Sequence, residues 1–319
     1  MSLVSRLMNS HPYLSALYER AKALTLPGFD NIPLYDVFVF FRNEVRRNVI
    51  SVRAKAIAFT FFLALFPALL FLFTLIPYIP IPNLQNDLIK FIKEFLPHEA
   101  FVMLETTITG VIKEQRGELL SIGLFLALFI STNGVMAMME SFDKSYAVFV
   151  KRSRLKMRLV ALGLTLILFF LLVVSIITIV EGNLFLKSLL KTFNRLNQFN
   201  FILFSTLKWI IIILLFFNSI SLIYYYGPAV RKKFRFVSAG STLATFLVIL
   251  ISIGFSYFVN NFGSYNRFYG SIGAIIALQI YIYLNAFAML IGFELNASIA
   301  ISKNIREHRP DVELQSGDV

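Results

Sequence analysis

Six long apolar runs divide this chain, at about residues 56–79, 119–139, 159–181, 201–226, 236–259 and 270–298. Each is near or above the roughly 20 residues that a helix needs to cross about 30 Å of hydrocarbon, so the pattern predicts six transmembrane helices over 56–300. Two shorter patterns flank or interrupt them. In residues 1–55, Leu14, Leu17, Tyr18 and Ala21 recur at helical spacing before Pro27 and Gly28, and Leu34, Val37, Phe38, Phe41 and Val45 repeat it among Arg42, Glu44, Arg46 and Arg47. These read as two amphipathic helices, lying against lipid headgroups or packed on the bundle. Between the first two runs, residues 80–118 return Leu84, Leu88, Phe91, Phe95 and then Phe101, Leu104, Ile108, Val111 on either side of Pro97, which predicts two short helices in a long loop. Residues 301–319 read as a flexible tail.

Charge orients the spans. Arg42, Arg46, Arg47, Arg53 and Lys55 precede the first; Lys144, Lys151, Arg152, Arg154, Lys156 and Arg158 fill the second loop; Arg231, Lys232, Lys233 and Arg235 fill the fourth; and Lys303, Arg306 and Arg309 follow the sixth. The odd loops carry fewer. By the positive-inside rule both termini are cytoplasmic, as an even number of spans requires them to agree. The same clusters account for much of the net charge of +12, which therefore needs no nucleic acid to explain it and points instead to anionic phospholipids.

Composition agrees with that class. Hydrophobic residues make up 57% of the 319, 35 of them Phe, only 15% are charged, and mean hydropathy is +0.73. An ordinary soluble domain has about 45–50% apolar and about 25% charged residues. The fold class expected is all-α, a polytopic membrane protein. There is no Cys, which removes disulfides and thiol chemistry. His11, His98 and His308 have no ligand spacing, and no HExxH, P-loop, GxSxG or dinucleotide fingerprint occurs, so the sequence predicts no catalytic residue, no metal and no cofactor.

Polar residues inside apolar runs are costly and need partners. Pro67 removes an intrahelical hydrogen bond in the first run. Asn133, beside Ser131 and Thr132, interrupts the second, and Asn218, Ser219 and Ser221 the fourth; these either hydrogen-bond across helices or line a polar cavity. Lys208, next to Trp209, either snorkels to the headgroups or pairs with an acid. A polar turn, Asn260 to Gly270, joins the last two runs; Asn261, Tyr265, Asn266 and Tyr269 are expected to brace it and Gly263 and Gly270 to permit it. Glu294 lies some 36 Å beyond Gly270 along a helix, near enough to the interface to be wet and ionised, and at a depth to pair with Arg53 or Lys55.

The block NFGSYN (261–266), YGSIGA (269–274), IYIYLNA (280–286) and IGFELNA (291–297), with RAKAIAFTFFLALFPALL (53–70), resembles the YihY/BrkB family of bacterial inner-membrane proteins. Asn261, Gly263, Ser264, Tyr265, Asn266, Tyr269, Gly270, Glu294 and Asn296 match its pattern, whereas Tyr281 stands where members typically carry tryptophan. The resemblance implies a six-helix fold. It also brings a ribonuclease label generally regarded as misassigned, a virulence-factor label for one branch, and proposals of lipid or amphiphile transport, with no established catalytic role for these residues. The expected function is a transporter or flippase-like helper for lipid or another amphiphile. A non-transporting scaffold, with envelope-protein partners or a second copy of the chain, is the alternative, and a membrane enzyme comes third.

Overall fold

The computed structural model describes residues 25, 28–30, 32–47, 50–78, 85–86, 89, 105, 109–110, 117–143, 146–192, 198–260 and 263–307; at several helix ends, 263–272 among them, only the backbone is described. Seven helices of more than one turn stand among these residues: α1 (Leu34–Arg47), α2 (Ile50–Leu75, followed by a 3-10 turn, Ile76–Tyr78), α3 (Gly117–Ser141), α4 (Arg154–Thr192), α5 (Gln198–Tyr226), α6 (Ala239–Asn260) and α7 (Gly263–Glu307). The fold is all-α. Six of the helices, α2 to α7, are long and apolar enough to cross a membrane, matching the six runs in the sequence.

Two of the boundaries that differ from those the apolar pattern predicts bear on the polar residues singled out above. α2 begins at Ile50, so Arg53 and Lys55 lie on the helix and not in the segment before it. Both are good helix formers whose long stems can lie along an apolar helix while their charges reach the headgroups, so they continue the helix instead of ending it. The expected turn over Asn260–Gly270 is mostly helix: α7 starts at Gly263 and runs 45 residues. Nothing between Gly263 and Gly270 is a proline, and the polar residues there tolerate helical backbone. α2 also continues through Pro67.

At about 1.5 Å per residue α7 is close to 68 Å long, more than twice the hydrocarbon thickness, and its carboxy-terminal end projects. α1 packs against that end. Val37, Phe29 and Ile32 are buried with Ile299, while Phe38 on the other face of α1 is exposed. This amphipathic helix thus packs on the bundle through one face. The earlier amphipathic segment around Leu14 lies outside the described residues, as does most of 80–118, where the described positions Gln85, Asn86, Ile89, Glu105, Thr109 and Gly110 are helical. The tail beyond Glu307 is likewise outside them.

Each of α2 to α7 packs on its neighbour in sequence and α7 returns to α2, which closes a ring. Its packing is uneven from end to end. At the end where the basic loops lie, Ile57, Phe142, Tyr224, Leu290 and Phe293 are fully buried in one cluster. Towards the other end burial gives out. Among the described residues none is buried in α4 beyond Thr165 or in α6 beyond Val248, and α5 before Ile220 has only Ile212. Lipid tails are as apolar as these side chains, so a loosely packed half costs little in a bilayer, and tight packing has to come from shape and hydrogen bonds.

Candidate functional site: the α6–α7 crossing and the basic mouth

The packed end is organised around one turn and a half of α7, Gly292 to Asn296. Gly292 and Gly240 face each other where α7 crosses α6. A Cβ on Gly240 would collide with the Gly292 carbonyl oxygen and with Asn296; one on Gly292 would meet the Gly240 carbonyl, Ala244 and the Tyr224 hydroxyl. Only glycine at both positions lets the two backbones come this close.

That approach places Asn296 against the start of α6. Its Oδ1 accepts from the Gly240 backbone N–H at 2.8 Å and its Nδ2 donates to Ser238 Oγ at 2.9 Å. Ser238 is the N-cap of α6. Its Oγ accepts from the Ser241 N–H at 3.1 Å, and Ser241 Oγ accepts from the Ser238 N–H at 3.0 Å, a reciprocal capping box with serine where glutamate is usual. Three of the N–H groups at this buried helix start are thus satisfied by side chains, one of them from another helix.

Glu294 is fully enclosed, so it is not the wet carboxylate that its depth along α7 suggests. The rings of Phe142, Phe149 and Phe234 close around Phe293 beside it, with the Phe142 and Phe293 centroids 4.2 Å apart. Arg53 Nη1 is 3.8 Å from Glu294 Oε1 and donates to the Ser141 carbonyl oxygen, at the last residue of α3, at 3.2 Å. One guanidinium therefore ties α2, α3 and α7 together. Lys55, two residues on and hence on another side of α2, is exposed.

A second basic residue does similar work. Arg152 spreads its guanidinium over the carbonyls of Tyr226, Gly227 and Pro228 at 3.3–3.4 Å, at the carboxy-terminal end of α5 where carbonyls lack helical partners. The second and fourth loops also pair as backbone, Val150 N–H to Ala229 O at 2.8 Å and Arg231 N–H to Val148 O at 3.0 Å. In the same loop, burial pushes the Asp143 carboxyl above the usual carboxylate range, Arg152 pulls it back, and Glu140 adds to the rise.

Above these loops opens a cavity of about 530 Å³ with Ser238 and Asn296 in its floor. Five basic side chains line it, Arg231, Lys232, Lys233, Arg235 and Lys303, against two acids, Asp30 and Glu307. Asp30, in a turn with φ of 51°, sits between two of them, Oδ1 3.7 Å from Arg235 Nη1 and Oδ2 3.2 Å from Lys303 Nζ. Lys233 Nζ stands over the rings of Tyr225 and Tyr226 at 4.5 and 4.4 Å.

The intramembrane polar residues behave differently from expectation. Thr132, Asn218 and Ser219 do not bond across helices; each donates to the carbonyl four residues earlier in its own helix, where a dry side-chain donor always has an acceptor in reach. Asn133 is half-buried, and Ser221 Oγ is buried with no hydrogen-bond partner among the described residues. None of Asn133, Asn218 and Ser221 lines the apolar cavity of about 460 Å³ found between α2, α3 and α4; its walls are Phe61, Leu124, Leu128, Leu168 and Phe169 with Ser131 and Thr165. Pro67 is half-buried in α2, and Lys208, half-buried in α5, has its Nζ 5.6 Å from the Trp209 ring. Asn261 lies outside the described residues, and the side chains of Gly263–Gly270, including Ser264, Tyr265, Asn266 and Tyr269, are not described, so the bracing expected of them remains a proposal.

Comparison with known proteins decides the family. A family profile described as "Virulence factor BrkB" matches residues 41–315, nearly the whole chain. The chain belongs to the YihY/BrkB family. A Bacillus subtilis protein named "Putative ribonuclease-like protein YfkH" is 30% identical over 258 residues, which cover 81% of this chain and 93% of that one. A "UPF0761 membrane protein" of Tolumonas auensis is 29% identical over 100 residues, 30% of this chain and 33% of its own length. No solved structure matches.

Within the family pattern the geometry separates two groups. Gly292, Glu294 and Asn296 are joined to α2, α3 and α6 at the packed end. Tyr281 stacks on Phe255 at 4.5 Å and shares a hydrogen bond of 2.9 Å with Ser252, linking α6 and α7 nearer the loose end. The residues that sequence alone did not single out are Tyr224, whose hydroxyl donates to the Met289 carbonyl, and Ser238, Gly240 and Asp30. A signal existed for one: Ser238 directly precedes the apolar run of α6, an N-cap position.

Proposed function

We propose that this YihY/BrkB protein is a multi-pass protein of a bacterial cytoplasmic membrane, both termini in the cytoplasm, that admits an amphiphile, a membrane lipid foremost, into its ring of spans from the loosely packed side. The observation that carries this reading is the uneven packing. Glycine contacts, capped helix ends and the Arg53–Glu294 pair shut the basic end, while the opposite halves of α4, α5 and α6 expose apolar side chains and a cavity of about 460 Å³ lies between α2, α3 and α4. That volume is in the range of small-ligand sites, and its dry walls suit an acyl chain better than a headgroup.

The ribonuclease word in the Bacillus relative's name is not carried to this chain. Phosphodiester cleavage needs stabilisation of a charged phosphoryl transition state, commonly by metals on clustered carboxylates or by a placed acid and base. Among the described residues no three His, Asp or Glu side chains come together. Of the acids on the basic side, Glu140 stands on the last turn of α3 and Asp143 in the loop after it, both reached by solvent, while Glu294 is sealed in the core. Basic loops bind RNA weakly through phosphates at low salt, which is enough for a contaminating activity to co-purify.

In proteoliposomes, labelled phospholipid is expected to exchange between leaflets faster than in protein-free vesicles, and Leu128→Trp, which fills the apolar cavity, is expected to slow it while elution as a folded protein is unchanged. RNA incubated with the purified protein and magnesium or manganese is expected to stay intact. Absence of movement across a broad lipid panel leaves the scaffold reading, and metal-dependent cleavage lost with Asp143→Asn overturns the non-nuclease one.

A further inference from the structure

A second cavity, of about 750 Å³, adjoins the basic one and shares Gly28, Arg235 and Ser238 with it. Apart from Thr242 its remaining walls are apolar: Phe29 from the turn before α1, Leu295 from α7, Val237 just before α6, and Leu243 and Phe246 along the first two turns of α6. Phe246 lies about 10 Å into the span from Ala239 and is 61% exposed, as is Val237, at 64%, at its mouth. One chamber is polar and cationic, at the level where the loops leave the bilayer. The other is apolar and runs down the lipid-facing flank of α6. Arg235 stands at their junction.

We infer that the two cavities together hold one anionic phospholipid of the leaflet on the basic side, its headgroup phosphate among Arg231, Lys232 and Arg235 and an acyl chain along Val237 to Phe246. Charge complementarity selects the headgroup. Five cations face two carboxylates, and Asp30, placed between Arg235 and Lys303, neutralises only one of the pair it touches. An arginine in that position offers a forked donor to phosphate oxygens, which a zwitterionic headgroup also has but without net charge to draw it in. Asn296 and Ser238 are committed to the start of α6, so they form a fixed floor and are not the ligands. The Gly28–Asp30 turn, which leads into α1, contributes to the walls of both chambers, Asp30 to the basic one and Phe29 to the apolar one.

The inference rests on the amphiphile reading for the class of ligand, and binding is measured apart from movement. Trp209 is the chain's only tryptophan. In a Trp209→Phe, Phe246→Trp protein held in nanodiscs, brominated phosphatidylglycerol is expected to quench the new tryptophan at about fivefold lower mole fraction than brominated phosphatidylcholine, the equivalent of roughly 1 kcal/mol for one basic contact. Arg231→Gln with Lys232→Gln is expected to erase that preference, and Lys151→Gln with Arg154→Gln, an equal loss of charge on the neighbouring loop, to keep it. Equal quenching by the two lipids makes the flank an ordinary lipid contact and overturns the site. Loss of the preference in both double variants assigns it to diffuse surface charge and overturns it as well. Millimolar inorganic phosphate, compared with chloride at equal ionic strength, is expected to leave the preference unchanged; if it abolishes it, the ligand is a soluble phosphate compound and the lipid assignment fails. A protein that shows the preference but moves no lipid in proteoliposomes keeps this site and loses the transport reading, and the converse result does the reverse.

Discussion

A buried carboxylate is expensive unless something offsets its charge, and the Arg53 guanidinium stands 3.8 Å from Glu294. The two partners are unequally placed. Arg53 is about a third exposed, so without Glu294 it can swing to the headgroups, whereas Glu294 has no such route. Arg53→Ala is therefore expected to destabilise more than Glu294→Gln, about 3 kcal/mol against about 1 kcal/mol, because the first takes the guanidinium from a buried carboxylate and the second removes the charge itself. Melting in detergent at neutral pH reads the order; a larger loss for Glu294→Gln would mean that the carboxylate's other bonds outweigh the ion pair. Sequence brought these residues to compatible depths on the basic side. It did not show that Glu294 is dry, because that depends on how neighbouring elements close around this turn of α7, as the rings of Phe142, Phe149 and Phe234 do around the adjacent Phe293.

At the scale of elements, the crossing of α6 and α7 sets the geometry of the packed end. Gly240→Ala and Gly292→Ala each push a methyl into the opposing backbone and are expected to cost about 1–3 kcal/mol, seen as a lower melting temperature and reduced abundance. Gly163 and Gly254 are helical glycines with nothing within 4 Å of an added Cβ, and Gly163→Ala is expected to be neutral or stabilising by up to about 1 kcal/mol through helix propensity. Similar losses at Gly163 and Gly240 would remove the close approach as the explanation. Glycine content alone does not distinguish these positions; the opposing glycine does. The stretch before Gly270 shows the converse. Its polar residues suggest a turn, but polarity of side chains does not end a helix when no proline or left-handed residue forces the backbone out, and α7 runs through it.

For the whole molecule, the basic residues gather at one end of a ring of six spans, and that end is also the one that is tightly packed. A reporter that works only outside the cytoplasm is expected to be active when fused after Gln198, at the start of α5, and silent after Val319. The opposite pattern would reverse the orientation and move the anionic-lipid site to the outer leaflet. The asymmetry of packing suits a protein that is closed on the side holding the charge and yields on the other, since helices that share lipid-like surfaces separate at little cost while capped and glycine-contacted ends do not.

What the sequence by itself determined is the number of spans, the helical class and the gathering of positive charge at alternate loops. Those follow from a cost that each residue meets alone, the transfer of its own side chain and backbone into hydrocarbon, and such a cost is legible position by position. The tertiary structure alone decided which polar groups meet. Arg53 and Glu294, Asn296 and Gly240, and Asp30 with Arg235 and Lys303 are far apart in the chain, and their pairing depends on the rotation of each helix in the ring. The same holds for the cavities, because a space between elements belongs to no one of them and leaves no pattern in any.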